Sequence, residues 1–239
     1  MGYNSKIREA ALSLLDFLYP GACLGCNDYI ENHEMVFCAA CEKKIAEVDF
    51  FICGICGAPM SNADKCTSCQ TKDTFPVLAL GQYQDPLKEA IHQFKFQHIR
   101  RASEILAVKI MELHRDKIEK LNPELIIPVP LHSIRMKVRG FNQAEDLARS
   151  LSQKLDIPLY ADIIEKRKQT RDQARLKAER RLKNLKGVFK SSGKSLQGER
   201  VIIVDDVFTT GATMREVRMA ILEAGGKPVL GLAAAVAGL

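Results

Sequence analysis

Two groups of residues in this chain stand in patterns that do chemistry. All eight cysteines fall within the first 70 residues and form four C-x-x-C pairs: Cys23/Cys26, Cys38/Cys41, Cys53/Cys56 and Cys66/Cys69. Two thiolates three positions apart on a tight turn can face one ion, and a second such turn completes the tetrahedral shell that zinc takes in structural sites. A disulfide framework has no reason to use only this spacing, and with no signal peptide the compartment is expected to be reducing. The sequential grouping, Cys23/Cys26/Cys38/Cys41 and Cys53/Cys56/Cys66/Cys69, is the simplest, although an interleaved one fits the spacing nearly as well. A thioredoxin-like redox role is a poor rival because no βαβ pattern surrounds the pairs. Four thiolates per ion leave no open coordination position, so the zincs are expected to be structural and His33 an ordinary surface histidine.

The second group is VIIVDDVFTTGATM, Val201 to Met214. Two adjacent carboxylates at the end of an apolar strand repel each other, a cost that only an approaching ligand would justify. The small residues Thr209, Thr210, Gly211, Ala212 and Thr213 let a backbone wrap a phosphate, whose charge suits the N-terminus of the helix that follows. Asp205 and Asp206 cannot serve that phosphate; they suit the vicinal hydroxyls of a ribose, two donors for two acceptors. A sugar 5-phosphate uses every part of the motif. A Walker loop, G-x-x-x-x-G-K-[ST], is absent from the sequence.

The elements around these residues predict an α/β fold. Apolar runs at Val77–Tyr83, Leu125–Pro130, Leu159–Ile164, Val201–Val207 and Pro228–Ala237 read as strands. They alternate with helical patterns at Leu87–Phe94, Ala102–Ile118, Asn142–Lys154 and Met214–Ala224. In the last helix Met214, Val217, Ile221 and Leu222 form the expected apolar stripe, and Gly225-Gly226 the stop. Such alternation predicts a parallel sheet covered on both faces, with ligands beyond the carboxyl ends of its strands. The expected division is a zinc-ribbon module with an N-terminal helix over 1–75 and a parallel-sheet domain over 76–239. That helix is read from Ile7, Ala11, Leu14, Leu15 and Leu18; Asp16 and Pro20 argue against a secretory signal.

With 46% hydrophobic residues and no apolar run long enough for a transmembrane segment, the chain is expected to be cytoplasmic. The net charge of +6 is unevenly spread: residues 1–75 carry six Lys/Arg against ten Asp/Glu, whereas Glu165 to Lys190 carries eleven against three. The basic run points to a polyanion, and the acidic module to a protein partner.

VIIVDDVFTTGAT closely resembles the signature of the type I phosphoribosyltransferases, with Phe208 standing where the pattern prefers a smaller aliphatic residue. That resemblance implies a phosphoribosyltransferase-like sheet in which Asp205 and Asp206 hold the ribose hydroxyls of phosphoribosyl pyrophosphate and Thr209 to Thr213 its 5-phosphate. The zinc pairs followed by YQDPLKEAIHQFKF, PVPLHSIRMKVRGFNQAEDLA and RKQTRDQARLKAERRLKNLKGVF look like the ComF family over nearly the whole length. The family implies a role in DNA uptake and natural transformation, peripheral to the membrane uptake machinery, with single-stranded DNA as a partner and a competence helicase as a candidate contact of the zinc module. It further implies a pyrophosphate loop at Pro128–Leu131, so that Pro130 and Leu131 join the substrate site. Arg135, Arg139 and Gly140-Phe141-Asn142-Gln143 would line the adjacent pocket, and Arg167, Thr170 and Gln173 belong to a mobile loop over it. Magnesium would bridge pyrophosphate and ribose oxygens.

Two functions follow as expectations. One is a DNA-handling protein with a sugar-phosphate site, in which Lys166, Arg167, Lys168, Arg171 and Arg175 contact DNA phosphates. The other is an active phosphoribosyltransferase, with Asp205, Asp206 and Arg139 at the reacting centre and an acceptor not specified by the sequence. Only Gly238 and Leu239 follow the last candidate strand, and Phe189 is the one aromatic between 161 and 200. A nucleobase pocket of the purine-salvage kind is therefore not expected.

Overall fold

A computed structural model of the chain describes residues 22–31, 35–69, 74–97, 100–167 and 187–239. The N-terminal helix expected around Ile7 to Leu18 lies outside the described residues, as do His33, Lys168, Thr170, Arg171, Gln173 and Arg175.

The strands form along the predicted apolar runs. A six-stranded sheet has the order β2-β1-β3-β8-β7-β4, from β1 (Phe51–Cys53), β2 (Pro59–Met60), β3 (Pro76–Gln82), β4 (Leu125–Pro128), β7 (Arg200–Phe208) and β8 (Lys227–Val236). The β3–β8, β8–β7 and β7–β4 pairs are parallel, with Leu78 opposite Leu232, Ile203 opposite Gly231 and Ile127 opposite Ile203. Alternate residues of each strand feed two cores, as the period of two requires. Leu78, Ile126, Ile202, Val204 and Leu232 join one core with helices α2 (Leu87–Gln97), α3 (Arg100–Lys120) and α5 (Gln143–Leu155). Val77, Ile127, Val201, Ile203 and Ala233 join the other with α6 (Ala212–Glu223) and the antiparallel pair β5 (Ile164–Lys166) and β6 (Phe189–Ser191). Burial on both faces is why these strands read as unbroken apolar runs.

The cysteine-rich region is built onto this sheet. Its strand β1 pairs antiparallel with β3, placing Ile52 opposite Val77 and Cys53 opposite Pro76. The amide of Val48 donates to the Leu80 carbonyl at 3.1 Å and that of Gln82 to Ala46 at 2.8 Å. A single-turn helix α1 (Ala39–Glu42) follows Cys38. Leu24, Val36 and Phe37 pack in the same core as Leu87 and Ile91, and Lys109–Glu42 and Lys117–Asp49 ion pairs flank that contact. Such pairs at the surface contribute no more than about 1 kcal/mol each, so the apolar contact and the shared sheet do the joining.

Three expectations need correction. Leu159–Ile164 is not a sheet strand: Leu159 makes one parallel bridge to Ile126, the chain bends away at Asp162, and Ile164 begins β5, which pairs antiparallel with β6 in a separate ribbon. Leu222 is 40% exposed, and Ala220 takes its place beside Met214, Val217 and Ile221 in the buried stripe. A short helix α4 (Ser133–Arg139) stands where no helix is predicted; none of its residues is buried, so it carries no periodic apolar signal.

Replacing Leu232, fully buried in central strand β8, by Ala is expected to lower the unfolding free energy by about 3 kcal/mol in urea titrations. Leu222→Ala should change it by less than about 0.5 kcal/mol.

Candidate functional site

The thiolates assemble in the sequential grouping. Within Cys23/Cys26/Cys38/Cys41, and likewise within Cys53/Cys56/Cys66/Cys69, the four Sγ atoms all lie within 4.8 Å of one another. Measured edges are 3.8 Å for Cys26–Cys38, 3.7 Å for Cys53–Cys69 and 3.6 Å for Cys56–Cys66. A tetrahedron of sulfurs about 2.3 Å from a central zinc has edges near 3.8 Å, so both donor sets fit the ion. Backbone amides support the thiolates: Gly25 and Cys38 each donate to Cys23 Sγ at 3.3 Å, and Ile55 and Cys56 to Cys53 Sγ at 3.4 and 3.5 Å. Without a cation, burial pushes the Cys56 thiol up to about 12 and moves Cys41 the same way. A divalent ion offsets that opposition, which is how such a site adds folding free energy to a region with a small core.

The second site is a cleft of about 510 Å³ at the carboxyl edge of the sheet. Strand β7 brings Asp205 and Asp206 to its floor, both half-buried, with the Asp206 amide donating to Asp205 Oδ1 at 2.8 Å. Thr209 and Thr213 form one end, and Pro130, Leu131, Arg135 and Arg139 the other. Thr210, Gly211 and Ala212 do not line the cleft through their side chains. Gly211 and Ala212 are buried behind the turn, and the Thr210 carbonyl accepts from Arg215 Nη2 at 3.2 Å. Gly211 adopts φ 70° and caps α6 without a side-chain hydrogen bond. A left-handed residue without a side chain is what lets the strand end swing directly into the helix.

The opposite wall is held by Asn142, which caps α5 by accepting from the Ala144 amide at 3.2 Å and donates to the Val129 carbonyl at 3.1 Å. Arg139 Nη1 donates to Gln143 Oε1 at 2.6 Å, and Gln143 is itself buried. The chain therefore places one cation of the pair on a braced side chain.

Lys166, read from the sequence as a DNA contact, lies in this cleft. Its ammonium sits 5.3 Å from the centre of the Phe189 ring. Burial, reinforced by the Arg135 guanidinium and opposed by Asp205, pushes it down to about 8. Arg167, next to it, points outward and pairs with Glu165 at 2.6 Å. Tyr83, the first residue of the YQDPLKEAIHQFKF stretch, and Ala237 also line the cleft; neither is among the expected site residues. A second cavity of about 570 Å³, between α3 and α5, is lined by Glu104, Glu145 and Asp146 with Arg149. Three carboxylates against one guanidinium suit a phosphorylated ligand poorly, whereas the cleft at the sheet edge sets three cations against two carboxylates and suits one better.

The family described as phosphoribosyl transferase domain matches residues 136–239, and the double zinc ribbon domain matches residues 14–70. The chain is 35% identical over 204 residues to competence protein F of Haemophilus influenzae, covering 82% of this chain and 88% of that protein. It is 32% identical over 219 residues to the DNA utilization protein YhgH of Escherichia coli, covering 88% and 94%. With competence protein ComFC of Bacillus subtilis it shares 31% identity over 199 residues, covering 79% and 78%.

A lysine poised near pH 8 makes anion binding in the cleft sensitive to alkali. Affinity for ribose 5-phosphate is expected to fall between about pH 7 and pH 9 as the Lys166 ammonium loses its proton. It should stay level in Lys166→Arg, whose guanidinium remains charged. Parallel titrations of the two proteins check this; equal slopes would remove Lys166 from the ligand's surroundings.

Proposed function

Because the chain belongs to the ComF family of competence proteins, we propose that it is a DNA-uptake protein that binds phosphoribosyl pyrophosphate and single-stranded DNA during natural transformation. One observation carries the sugar-phosphate part: a single cleft holds Asp205 and Asp206 between a threonine-lined turn and a wall of arginines. In this reading the ribose hydroxyls donate to the two aspartates. The 5-phosphate lies on the turn from Thr209 to Thr213, and the pyrophosphate lies between Pro130, Leu131, Arg135 and Arg139. Magnesium, if it came with the ligand, would neutralise part of the pyrophosphate charge, with Asp205 and Asp206 acting on it through the ligand.

The DNA part is supported by the names of the relatives, competence protein and DNA utilization protein, and by the basic run from Glu165 to Lys190. Aromatic stacking residues are scarce there, so DNA contacts are electrostatic, made by Arg167, Lys168, Arg171 and Arg175. Lys166 answers to the sugar phosphate instead. Among the described residues no helix is long and apolar enough to cross a membrane. We assign the protein to the cytoplasmic side of the uptake machinery, with the acidic residues 1–75 facing a protein partner such as the competence helicase and residues 76–239 forming the ligand-binding domain.

A second reading is an active phosphoribosyltransferase. It is favoured by the concentration of Arg135, braced Arg139 and Lys166 beside the aspartates. The three cations would stabilise a leaving pyrophosphate, and the two aspartates the cationic ribose that it leaves behind.

Calorimetry of phosphoribosyl pyrophosphate with magnesium, with and without single-stranded DNA, tests the proposal. The expected result is binding that Asp205→Asn with Asp206→Asn abolishes, together with DNA affinity that falls steeply from about 50 mM to several hundred mM salt. DNA binding that is indifferent to salt, or sugar-phosphate binding that survives the double substitution, would refute it. Pyrophosphate release that depends on both aspartates would establish the enzyme.

A further inference from the structure

The turn that follows the two aspartates is pressed between two groups. A methyl group built on Gly211 would come within 2.6 Å of the Gly54 carbonyl oxygen on one side, and within 3.0 Å of the Phe208 ring on the other. Gly54 is not part of the sheet domain's own sequence motifs. It is the residue after Cys53, inside the C-G-I-C knuckle of the second cysteine cluster. Its amide donates to the Phe75 carbonyl at 2.9 Å, and a methyl group on it would strike the Phe75 ring at 2.4 Å. The knuckle is closed by Gly57 donating to the Cys53 carbonyl at 2.8 Å and by the Ile55 and Cys56 amides on Cys53 Sγ. Gly54 is therefore held from two directions, by the Phe75 backbone just before β3 and by the knuckle that closes around Cys53 Sγ.

Phe208 completes the arrangement. The phosphoribosyltransferase signature prefers a smaller aliphatic residue here, yet in this chain the ring is almost fully buried, in one core with Phe75, Val77 and Ile52 of β1. It joins the end of the strand to the strand that leads into the zinc knuckle. Gly211, at φ 70°, offers no side-chain cap, and Arg215 holds the turn from the helix side only, through the Thr210 and Gly211 carbonyls, so the packing of Gly54 and Phe208 shares in fixing its shape.

We infer that the second zinc knuckle, through Gly54 and Phe208, is a positioning element for the 5-phosphate turn, so that zinc at Cys53/Cys56/Cys66/Cys69 sets sugar-phosphate affinity. The first cluster has no such contact among the described residues: its Gly25 meets Pro86 and Cys41. This inference rests on the sugar-phosphate reading of the cleft, and adds that the metal site and the ligand site are coupled. Chelation or thiol oxidation at the second cluster would then lower occupancy of the cleft.

The test uses the full chain with magnesium and two probes that divide the cleft. Ribose 5-phosphate needs the turn, whereas inorganic pyrophosphate needs the wall of Arg135 and Arg139. Removing the second zinc by Cys66→Ser with Cys69→Ser, ligands on the far side of the ion from Gly54, should weaken ribose 5-phosphate about tenfold and leave pyrophosphate within about twofold. Cys66→His alone, with Cys69 kept so that four ligands remain, should retain both zinc content and ribose 5-phosphate affinity. If the double serine variant does not fold, Phe208→Leu reads the same difference while keeping both clusters intact. Equal loss of both probes, or loss of neither, overturns the inference and leaves the sugar-phosphate reading in place. Failure of the unaltered protein to bind ribose 5-phosphate overturns both.

Discussion

The carboxyl end of β7 sets the constraint that the remaining structure serves. Two carboxylates stand side by side at the rim of an apolar sheet, and the next residues must reverse into a helix without a side-chain cap. Adjacent like charges oppose the arrangement on their own, whereas the left-handed φ of Gly211 is open to glycine and lets the chain turn. The arrangement persists because β7 is flanked by parallel strands on each side, so Val201 to Val204 cannot move, and because the turn is packed from behind. A carboxylate pair held at the edge of a rigid sheet is suited to meeting hydrogen-bond donors without rearrangement.

The zinc-ribbon region gains a meaning from this that a separate appended module would not have. Its own apolar cluster is small, Cys53, Met60 and Cys66 with partly buried neighbours, and metal–thiolate bonds supply what the core does not. Through β1 it extends the main sheet, and through Phe37 and Leu24 it shares the core beneath α2. The sheet is thus one mechanical body from the second zinc knuckle to the phosphate turn. In sequence the charges divide: residues 1–75 are acidic in balance, whereas the cleft carries three cationic side chains.

Much of this was legible from residue types and spacing. The C-x-x-C spacing led to two four-sulfur groups, and the D-D-x-x-T-T-G-A-T order to a cleft at the strand ends, because both signals are local and the chemistry demands them. Leu222 was misread because helical periodicity places it next to the stripe, and only the position of the β5–β6 ribbon and sheet decides which neighbour of Ile221 is covered. The place of Lys166 in the cleft was not legible, because a charge run looks the same whether a side chain points to solvent or curls over Phe189. The 159–164 segment has strand composition, yet the bend at Asp162 hands its end to a different sheet. Phe208 and Gly54 were visible only as an off-pattern residue and a knuckle glycine; that they meet at Gly211 is a property of the tertiary fold.

The central claim is that the aspartate pair and the turn behind it form one sugar-phosphate site. A crystal structure of the chain with phosphoribosyl pyrophosphate and magnesium tests it most directly. The account requires the 5-phosphate oxygens at hydrogen-bond distance, about 3 Å, from backbone amides between Thr209 and Thr213, with the ribose hydroxyls on Asp205 and Asp206. A ligand seated in the cavity between α3 and α5, or one whose ribose faces away from both aspartates, would contradict it.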